Sequence, residues 1–207
     1  MARIIKFPAS GNSKFGYKKV RKRKSVDLED YGQLNLFTVA PSEAKVVSLS
    51  SHGSLFDQAL YFDENNDPRA VEFYWKAIKS GEGIVDSYCN LGIIESEKKN
   101  YANAIDCFTQ CLKHDPRHCE AHYNLANIYS ELGDLDLAKV HYQMAIKIDA
   151  DFESAYYNLG LVMAMKSEYK EALEILQQYR LFLEDDDKGN VDKLIDSLQK
   201  TMKSKTQ

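Results

Sequence analysis

Sulfur and nitrogen ligands lie close together in one stretch of this sequence, Cys107-x3-Cys111-x2-His114-x3-His118. Thiols and imidazoles spaced i, i+4 and i+7 on one helix could bind a zinc ion. Two observations favour a packing role instead. Cys111 occupies a small position of a repeating pattern, where a thiol acts as a compact hydrophobe, and His118 lies beyond Pro116, off the helix. We therefore predict that the chain has no metal site and no cofactor.

The sequence also lacks the motifs of the common catalytic sites. It contains no glycine-rich phosphate loop, no His-Glu-x-x-His motif and no nucleophile elbow. Its carboxylates are spread over predicted helix surfaces, where charged side chains are normally exposed to solvent and have no catalytic role. We therefore predict that the protein is not an enzyme.

A repeat with a period of 34 residues would position these side chains. Residues 119–152 align with residues 85–118 and with the segment that begins at residue 153, and the same residue types recur at matching places. A period of this length indicates a solenoid built from copies of one supersecondary unit. The recurring positions hold Tyr88, His122 and Tyr156; Asn90, Asn124 and Asn158; Leu91, Leu125 and Leu159; Gly92, Ala126 and Gly160; and Ala104, Ala138 and Ala172.

This spacing of aromatic, leucine and small residues resembles the tetratricopeptide repeat (TPR), a helix–turn–helix family. The resemblance implies an all-α, right-handed superhelical solenoid of about four repeats. We place an irregular first repeat at residues 54–84 and regular repeats at 85–118, 119–152 and 153–184. A one-sided apolar stripe over residues 190–203 predicts a C-terminal capping helix.

Small residues are expected where helices cross closely or where the chain turns sharply. The close crossing within a hairpin corresponds to Gly92, Ala126 and Gly160. Gly133 should provide a left-handed turn between the two helices of its repeat, and Lys99 and Ser167 stand at the same place in the neighbouring repeats. In the first repeat, the buried face of the second helix is assigned to Val71, Tyr74, Trp75 and Ile78.

The family resemblance also implies a concave groove lined by the first helix of each repeat. An amide placed once per repeat in this groove can hydrogen-bond the main chain of an extended peptide. The predicted peptide-binding residues are Asn90, Asn124, Asn158, Tyr123, Asn127 and Tyr157. The charged groove positions are Asp86, Glu97, Glu120 and Glu131. Because these charges are negative, we predict a neutral or basic partner segment and disfavour the acidic chaperone tails that some family members bind.

The first 53 residues form a basic arm that we predict to be disordered, because it has little apolar surface to bury. Residues 1–26 contain nine Lys and Arg residues and no acidic one, which leaves 18 basic and 31 acidic residues, a net charge of −13, in the rest of the chain. The block Lys18–Lys24 could bind the phosphates of a nucleic acid, whereas the acidic solenoid should not. The same block could dock on the acidic groove in a salt-sensitive manner and compete with the partner.

Gln33, Leu34, Leu36 and Phe37 form a candidate linear motif in this arm. The sequence Gln-Leu-Asn-Leu-Phe resembles the pentapeptide with which bacterial replication and repair proteins bind the sliding DNA clamp. The resemblance implies a polar subsite for Gln33 and a hydrophobic subsite for Leu36 and Phe37. A structural strap is the alternative, in which the apolar residues pack on the edge of the first repeat near Leu55.

The start of the sequence shows no long apolar run and no cleavage site typical of export, and no stretch has the apolar length of a membrane span. We therefore expect a cytoplasmic protein with reduced thiols. The predicted function is that of a non-enzymatic adaptor for protein–protein interaction, which binds an extended peptide segment in the concave groove. The alternative is a nucleic-acid-associated factor that uses its basic arm and is recruited to the sliding clamp through Gln33–Phe37.

Overall fold

The computed structural model of the protein describes residues 17–18 and 53–205. Residues 53–205 fold into nine α-helices and one short 3-10 helix, and this range contains no β-strand. The α-helices are α1 (Leu55–Glu64), α2 (Arg69–Ser80), α3 (Ile84–Glu97), α4 (Tyr101–His114), α5 (Cys119–Leu132), α6 (Leu135–Ile148), α7 (Glu153–Met165), α8 (Tyr169–Leu181) and α9 (Lys188–Lys205). The 3-10 helix Asp185–Asp187 leads into α9.

The helices pair in order along the chain. α1 packs against α2, α3 against α4, α5 against α6 and α7 against α8, and each pair stacks on the next. The first helices of successive pairs also meet, because α5 contacts both α3 and α7. The result is the predicted all-α, right-handed solenoid of four hairpins, with α9 packed against α8 as a capping helix.

Glycine lets the two helices of a hairpin approach closely, as the sequence predicts. A Cβ atom added at Gly92 would come within 2.8 Å of the ring of Phe108, which is fully buried. At Gly160 the added Cβ would lie 2.6 Å from the side chain of Leu176. Both distances are too short for carbon atoms, so any larger residue would displace the close-packed core.

The predicted left-handed turns are present in the three regular repeats. The φ angles are 83° at Gly133, 61° at Lys99 and 65° at Ser167. Only glycine adopts this conformation without a steric cost. The repeat therefore keeps the geometry of its turn even at the two positions where glycine is absent.

Trp75 of the first hairpin is more exposed than the sequence predicts, whereas α9 packs on the solenoid as predicted. The assignment of Trp75 to the buried face of α2 is wrong, because its side chain is 43% exposed. The ring of Tyr88 on α3 lies perpendicular to the indole, with ring centroids 6.0 Å apart. At the other end, α9 buries Val191, Ile195 and Leu198 against the core of the last repeats.

Several predictions concern residues outside the described part of the chain. The first is the disorder predicted for the arm, apart from Tyr17, Lys18 and Gly53. The second is the binding predicted for the basic residues that follow Lys18. The third is the linear motif of Gln33, Leu34, Leu36 and Phe37. Among the described helices, none combines the length and the apolarity that crossing a membrane requires.

Candidate functional site

Asn124 on α5 holds the main chain of a segment that is distant in the sequence. Its side-chain oxygen accepts a hydrogen bond from the N–H of Lys18 at 3.0 Å, and its side-chain nitrogen donates to the carbonyl oxygen of Lys18 at 3.1 Å. A carboxamide carries a donor and an acceptor side by side, so it can satisfy both main-chain groups of one residue, as a neighbouring β-strand does. This predicted groove residue therefore binds a peptide main chain.

Tyr17, the residue before Lys18, occupies a pocket formed by α3, α4 and α5. Its ring packs against the apolar cluster that these helices share, and its hydroxyl lies 3.4 Å from Oε1 of Glu131. The other oxygen of Glu131 accepts a hydrogen bond from the hydroxyl of Tyr101 at 2.5 Å. Burial, followed by the negative charge of Glu131, raises the pKa of Tyr17 well above its usual value. The phenol is therefore neutral at physiological pH.

Sequence reasoning missed Tyr17 as a residue that packs beside the predicted groove residue Asn124. The expectation was contact through the charges of the basic block, whereas the contacts described here use an aromatic ring and a main chain. The feature of the sequence that could have identified Tyr17 is the pair of aromatic residues, Phe15 and Tyr17, within a basic and polar segment. Tyrosine is enriched among the residues that dominate binding energy, because it buries a large rigid ring at small entropic cost.

The other two predicted asparagines make hydrogen bonds to side chains of the solenoid. Asn90 is fully buried and donates to the hydroxyl of Tyr74 at 3.1 Å. Asn158 donates to the hydroxyl of Tyr123 and to the side-chain oxygen of Asn127, both at 3.1 Å. Each of these amides therefore joins the first helix of its repeat to an earlier hairpin.

The remaining predicted groove residues also contact side chains of the solenoid. Asn127 also accepts a hydrogen bond from the hydroxyl of Tyr142 at 2.5 Å. Tyr123 is fully buried, and the partly buried Tyr157 packs on Tyr179 with ring centroids 5.1 Å apart. These contacts hold the three side chains within the solenoid.

Cys89, Cys111 and His118 are the described residues whose side chains could together hold a metal ion. Their sulfur and nitrogen ligand atoms all lie within 4.8 Å of one another, and all three residues are buried. Spacing along the sequence groups Cys111 and His118 with Cys107 and His114, whereas the fold brings Cys89 of α3 to them instead. Sequence reasoning missed Cys89 because it searched one helix. The prediction of no metal site stays a prediction.

Hydrogen bonds also tie this cluster to the three helices around it. All four cysteines of the chain are free thiols. The pKa of Cys111 is lowered to about 7, because the Cys89 thiol hydrogen-bonds its sulfur and His118 lies beside it, while burial acts in the opposite direction. Nδ1 of His118 accepts the N–H of Ala121 at 3.1 Å and so caps the start of α5. The cluster thus links α3, α4 and α5.

Comparison with known sequences decides the family. A model described as TPR repeat matches residues 126–167, and two models described as tetratricopeptide repeat match residues 85–118 and 107–140. The chain is a tetratricopeptide repeat protein. The matched residues run from α3 into the turn after α7, so the resemblance found in the sequence is confirmed.

Curated relatives match this tetratricopeptide repeat protein over short parts of their own length. Protein O-mannosyl-transferase TMTC3 of Homo sapiens is 26% identical over 163 residues, which cover 60% of this chain and 18% of that protein. Hsp70-Hsp90 organizing protein 2 of Arabidopsis thaliana is 29% identical over 96 residues, 43% of this chain and 17% of that protein. Heat shock protein STI1 of Saccharomyces cerevisiae is 28% identical over 102 residues, 49% of this chain and 17% of that protein. The chain therefore spans less than a fifth of the length of these relatives.

Solved structures of other tetratricopeptide repeat proteins share the fold. MamA superposes with a TM-score of 0.55 at 23% identity, over 60% of this chain and 73% of that chain. YrrB, described as a TPR protein with an unusual peptide-binding site, superposes with a TM-score of 0.56 at 22% identity, over 62% of this chain and 66% of that chain. The first TPR of Spaghetti (RPAP3), bound to the HSP90 peptide SRMEEVD, gives a TM-score of 0.50 at 18% identity, over 54% of this chain and 86% of that chain.

Proposed function

We propose that this tetratricopeptide repeat protein is an adaptor for protein–protein interaction whose concave groove binds an extended peptide segment of its partner. The paired hydrogen bonds between Asn124 and Lys18, at 3.0 and 3.1 Å, carry the proposal. Both bonds go to main-chain atoms, which every peptide has, so a segment of another protein can make them as well. The relatives support the general role, since they include Hsp70-Hsp90 organizing proteins, and RPAP3 was solved with a bound peptide.

Charge favours a neutral or basic segment as the partner. Glu131 lies at the pocket that holds Tyr17, with its Oε1 3.4 Å from the hydroxyl of that residue. The peptide in the RPAP3 structure, SRMEEVD, is rich in acidic residues. Such a peptide would meet like charge here, and like charges across an interface act against binding. We therefore propose a different partner class for this groove.

A role without catalysis fits the groups that form the concave face. The amides of Asn90, Asn124 and Asn158 are engaged in hydrogen bonds to side chains or to a main chain. TMTC3 is named as a transferase, but the chain matches only 18% of that protein. A scaffold that holds a peptide needs positioned donors and acceptors and no reacting group.

The nucleic-acid alternative gains no support from the described contacts. Lys18 is the one residue of the block Lys18–Lys24 in the described part of the chain, and its main chain is what Asn124 binds. None of the relatives or structures named above points to a sliding clamp. The cytoplasmic location stays a prediction.

Peptide selection followed by measurement of affinity tests the proposed groove. Binders are selected from a displayed library of random peptides against the full-length protein, and their affinities are measured by fluorescence anisotropy. We expect Asn124→Ala, introduced into the Tyr17→Ala protein so that the arm has lost its aromatic anchor, to weaken the selected peptides by about tenfold, because two hydrogen bonds to the peptide main chain are lost. Asn190→Ala, at an exposed position of α9, is the matched control and should leave the affinities unchanged. Equal affinity for the Tyr17→Ala protein with and without Asn124→Ala would contradict the proposal.

A further inference from the structure

The groove proposed for a partner already holds Tyr17 and Lys18 of the same chain. We infer that these two residues are a resident ligand, which a partner must displace with a segment of the same chemistry: a tyrosine followed by a residue whose main chain pairs with Asn124. The inference rests on the proposed function, since it takes the groove as the site at which the partner binds.

The pocket around Tyr17 is suited to a phenol. The ring packs on the apolar cluster of α3, α4 and α5, and the hydroxyl points to Glu131 with Ser96 beside it. Phenylalanine keeps the apolar contacts but offers no hydrogen to the carboxylate of Glu131. A phosphotyrosine would bring up to two negative charges against the same carboxylate. The pocket therefore favours tyrosine over phenylalanine and rejects phosphotyrosine.

The Asn124 contact sets a different requirement at the next position. It uses the N–H and the carbonyl oxygen of Lys18 and selects no side chain. Every residue except proline offers both groups. The structure thus assigns a two-residue recognition element, in which tyrosine is preferred at the first position and proline is excluded from the second.

The covalent connection makes this resident ligand an effective competitor. Lys18 is joined to Gly53 by 34 residues, 19–52. A tether of a few tens of residues holds its ends at an effective concentration on the order of millimolar. A separate segment with the same intrinsic affinity therefore fills the groove only at a similar concentration or with additional contacts. The arm thus sets the concentration or affinity that a partner needs in order to displace it.

A labelled peptide of residues 12–24, NSKFGYKKVRKRK, measures this competition directly. It is titrated by fluorescence anisotropy with the full-length protein. The Tyr17→Ala protein has lost the aromatic anchor of its own arm, so we expect it to bind the peptide at least about tenfold more tightly than the wild type does. Tyr61→Ala removes a tyrosine that is 64% exposed on α1 and is the matched control, which should behave as the wild type.

Altered peptides then test the two positions of the recognition element in the Tyr17→Ala protein. A peptide with Tyr17→Ala keeps the same charge and should not bind, which separates the pocket from general attraction between basic peptide and acidic solenoid. Tyr17→Phe should weaken binding several-fold, and phosphotyrosine should abolish it. Lys18→Pro should abolish binding, whereas Lys18→Ala, with the same loss of charge, should retain most of it.

Three outcomes would overturn parts of the inference separately. Equal binding of the peptide to the wild-type and Tyr17→Ala proteins would rule out a resident ligand while leaving the groove intact. If Asn124→Ala in the Tyr17→Ala background leaves the peptide affinity unchanged, the proposed groove is wrong as well. Concentration-dependent dimers that disappear in the Tyr17→Ala protein would place the arm in the groove of a second copy and contradict the contact within one chain.

Discussion

Asn124 and Lys18 lie 106 residues apart in the sequence and exchange two hydrogen bonds, through the side-chain amide of one and the main chain of the other. The contact joins the arm to the middle of the solenoid. Main-chain bonds alone would accept almost any peptide, and the pocket of Tyr17 adds the selectivity that they lack. The two contacts together hold two consecutive residues of the arm in a defined register on α3, α4 and α5.

Replacement of Asn90 by alanine should affect stability. Asn90 is fully buried and donates to Tyr74, whose hydroxyl in turn donates to Asp63 at 3.1 Å. Loss of this amide should lower the free energy of unfolding by about 1–2 kcal/mol. Urea unfolding measures it, with Asn103→Ala at an exposed position of α4 as the control. An unaltered unfolding midpoint in the Asn90→Ala protein would show that the buried bond is dispensable.

Replacement of Gly92 by alanine should destabilise the second hairpin. The added Cβ would meet the ring of Phe108 at 2.8 Å, and this ring is fully buried. We expect a loss of about 1–3 kcal/mol, as for other overpacked cores. Gly189→Ala in α9 has no atom within 4 Å of the new carbon and should be neutral or slightly stabilising. Similar unfolding curves for both variants would contradict the close approach of α3 and α4 at Gly92.

Truncation of Leu198 should test the capping role of α9. Leu198 is fully buried in the core cluster of the last repeats, whereas Leu181 at the end of α8 is 82% exposed. Leu198→Ala should therefore lower the free energy of unfolding by about 2–5 kcal/mol. Leu181→Ala should change it by less than about 0.5 kcal/mol. A tolerated Leu198→Ala would mean that α9 does not protect the end of the solenoid.

His141 should make the protein lose stability in mild acid. Burial, followed by the nearby charge of His122, lowers the pKa of His141 to about 4 from its usual value of 6.5. Between these values the unfolded chain binds a proton that the folded chain does not, so the free energy of unfolding falls as the pH drops from about 6.5 towards 4. The groups around His141 include His122, whose Nδ1 lies 3.0 Å away, and the ring of Tyr129.

The His141→Gln protein should lose part of this acid sensitivity. Urea unfolding at pH 7 and pH 5 is the measurement, and the difference between the two pH values should shrink by about 1–2 kcal/mol relative to the wild type. Asn190→Ala, at an exposed position of α9, should keep the wild-type dependence on pH. Parallel behaviour of the two variants would mean that His141 does not titrate differently in the folded chain.

The solenoid could be predicted from the sequence because each repeat reuses the same packing. Gly92 and Gly160 stand at matching positions and meet Phe108 and Leu176, which also stand at matching positions. A pattern with a period of 34 residues therefore contains the contacts within and between hairpins. The misassigned residue, Trp75, belongs to the irregular first repeat, where the pattern is weakest.

The contents of the groove could be predicted only in part. Asn124 was found because it recurs with the repeat, but its partner Lys18 lies outside the repeat and carries no periodic signal. The same limit applies to Tyr17. The bond between Asn90 and Tyr74 was missed for a related reason, because it joins a regular repeat to the irregular one before it. The periodicity predicts the helices of the solenoid and how they pack. A single contact between residues at unrelated positions of the repeat leaves no periodic signal in the sequence.

Hydrogen exchange at the amide of Lys18 tests the central claim most directly. This N–H donates to the side-chain oxygen of Asn124 at 3.0 Å, and exchange requires that bond to open. In the full-length wild type we predict exchange at least about tenfold slower than the intrinsic rate of the sequence, and loss of this protection in the Asn124→Ala protein but not in Asn190→Ala. Exchange of the Lys18 amide at its intrinsic rate in the wild type would contradict the account.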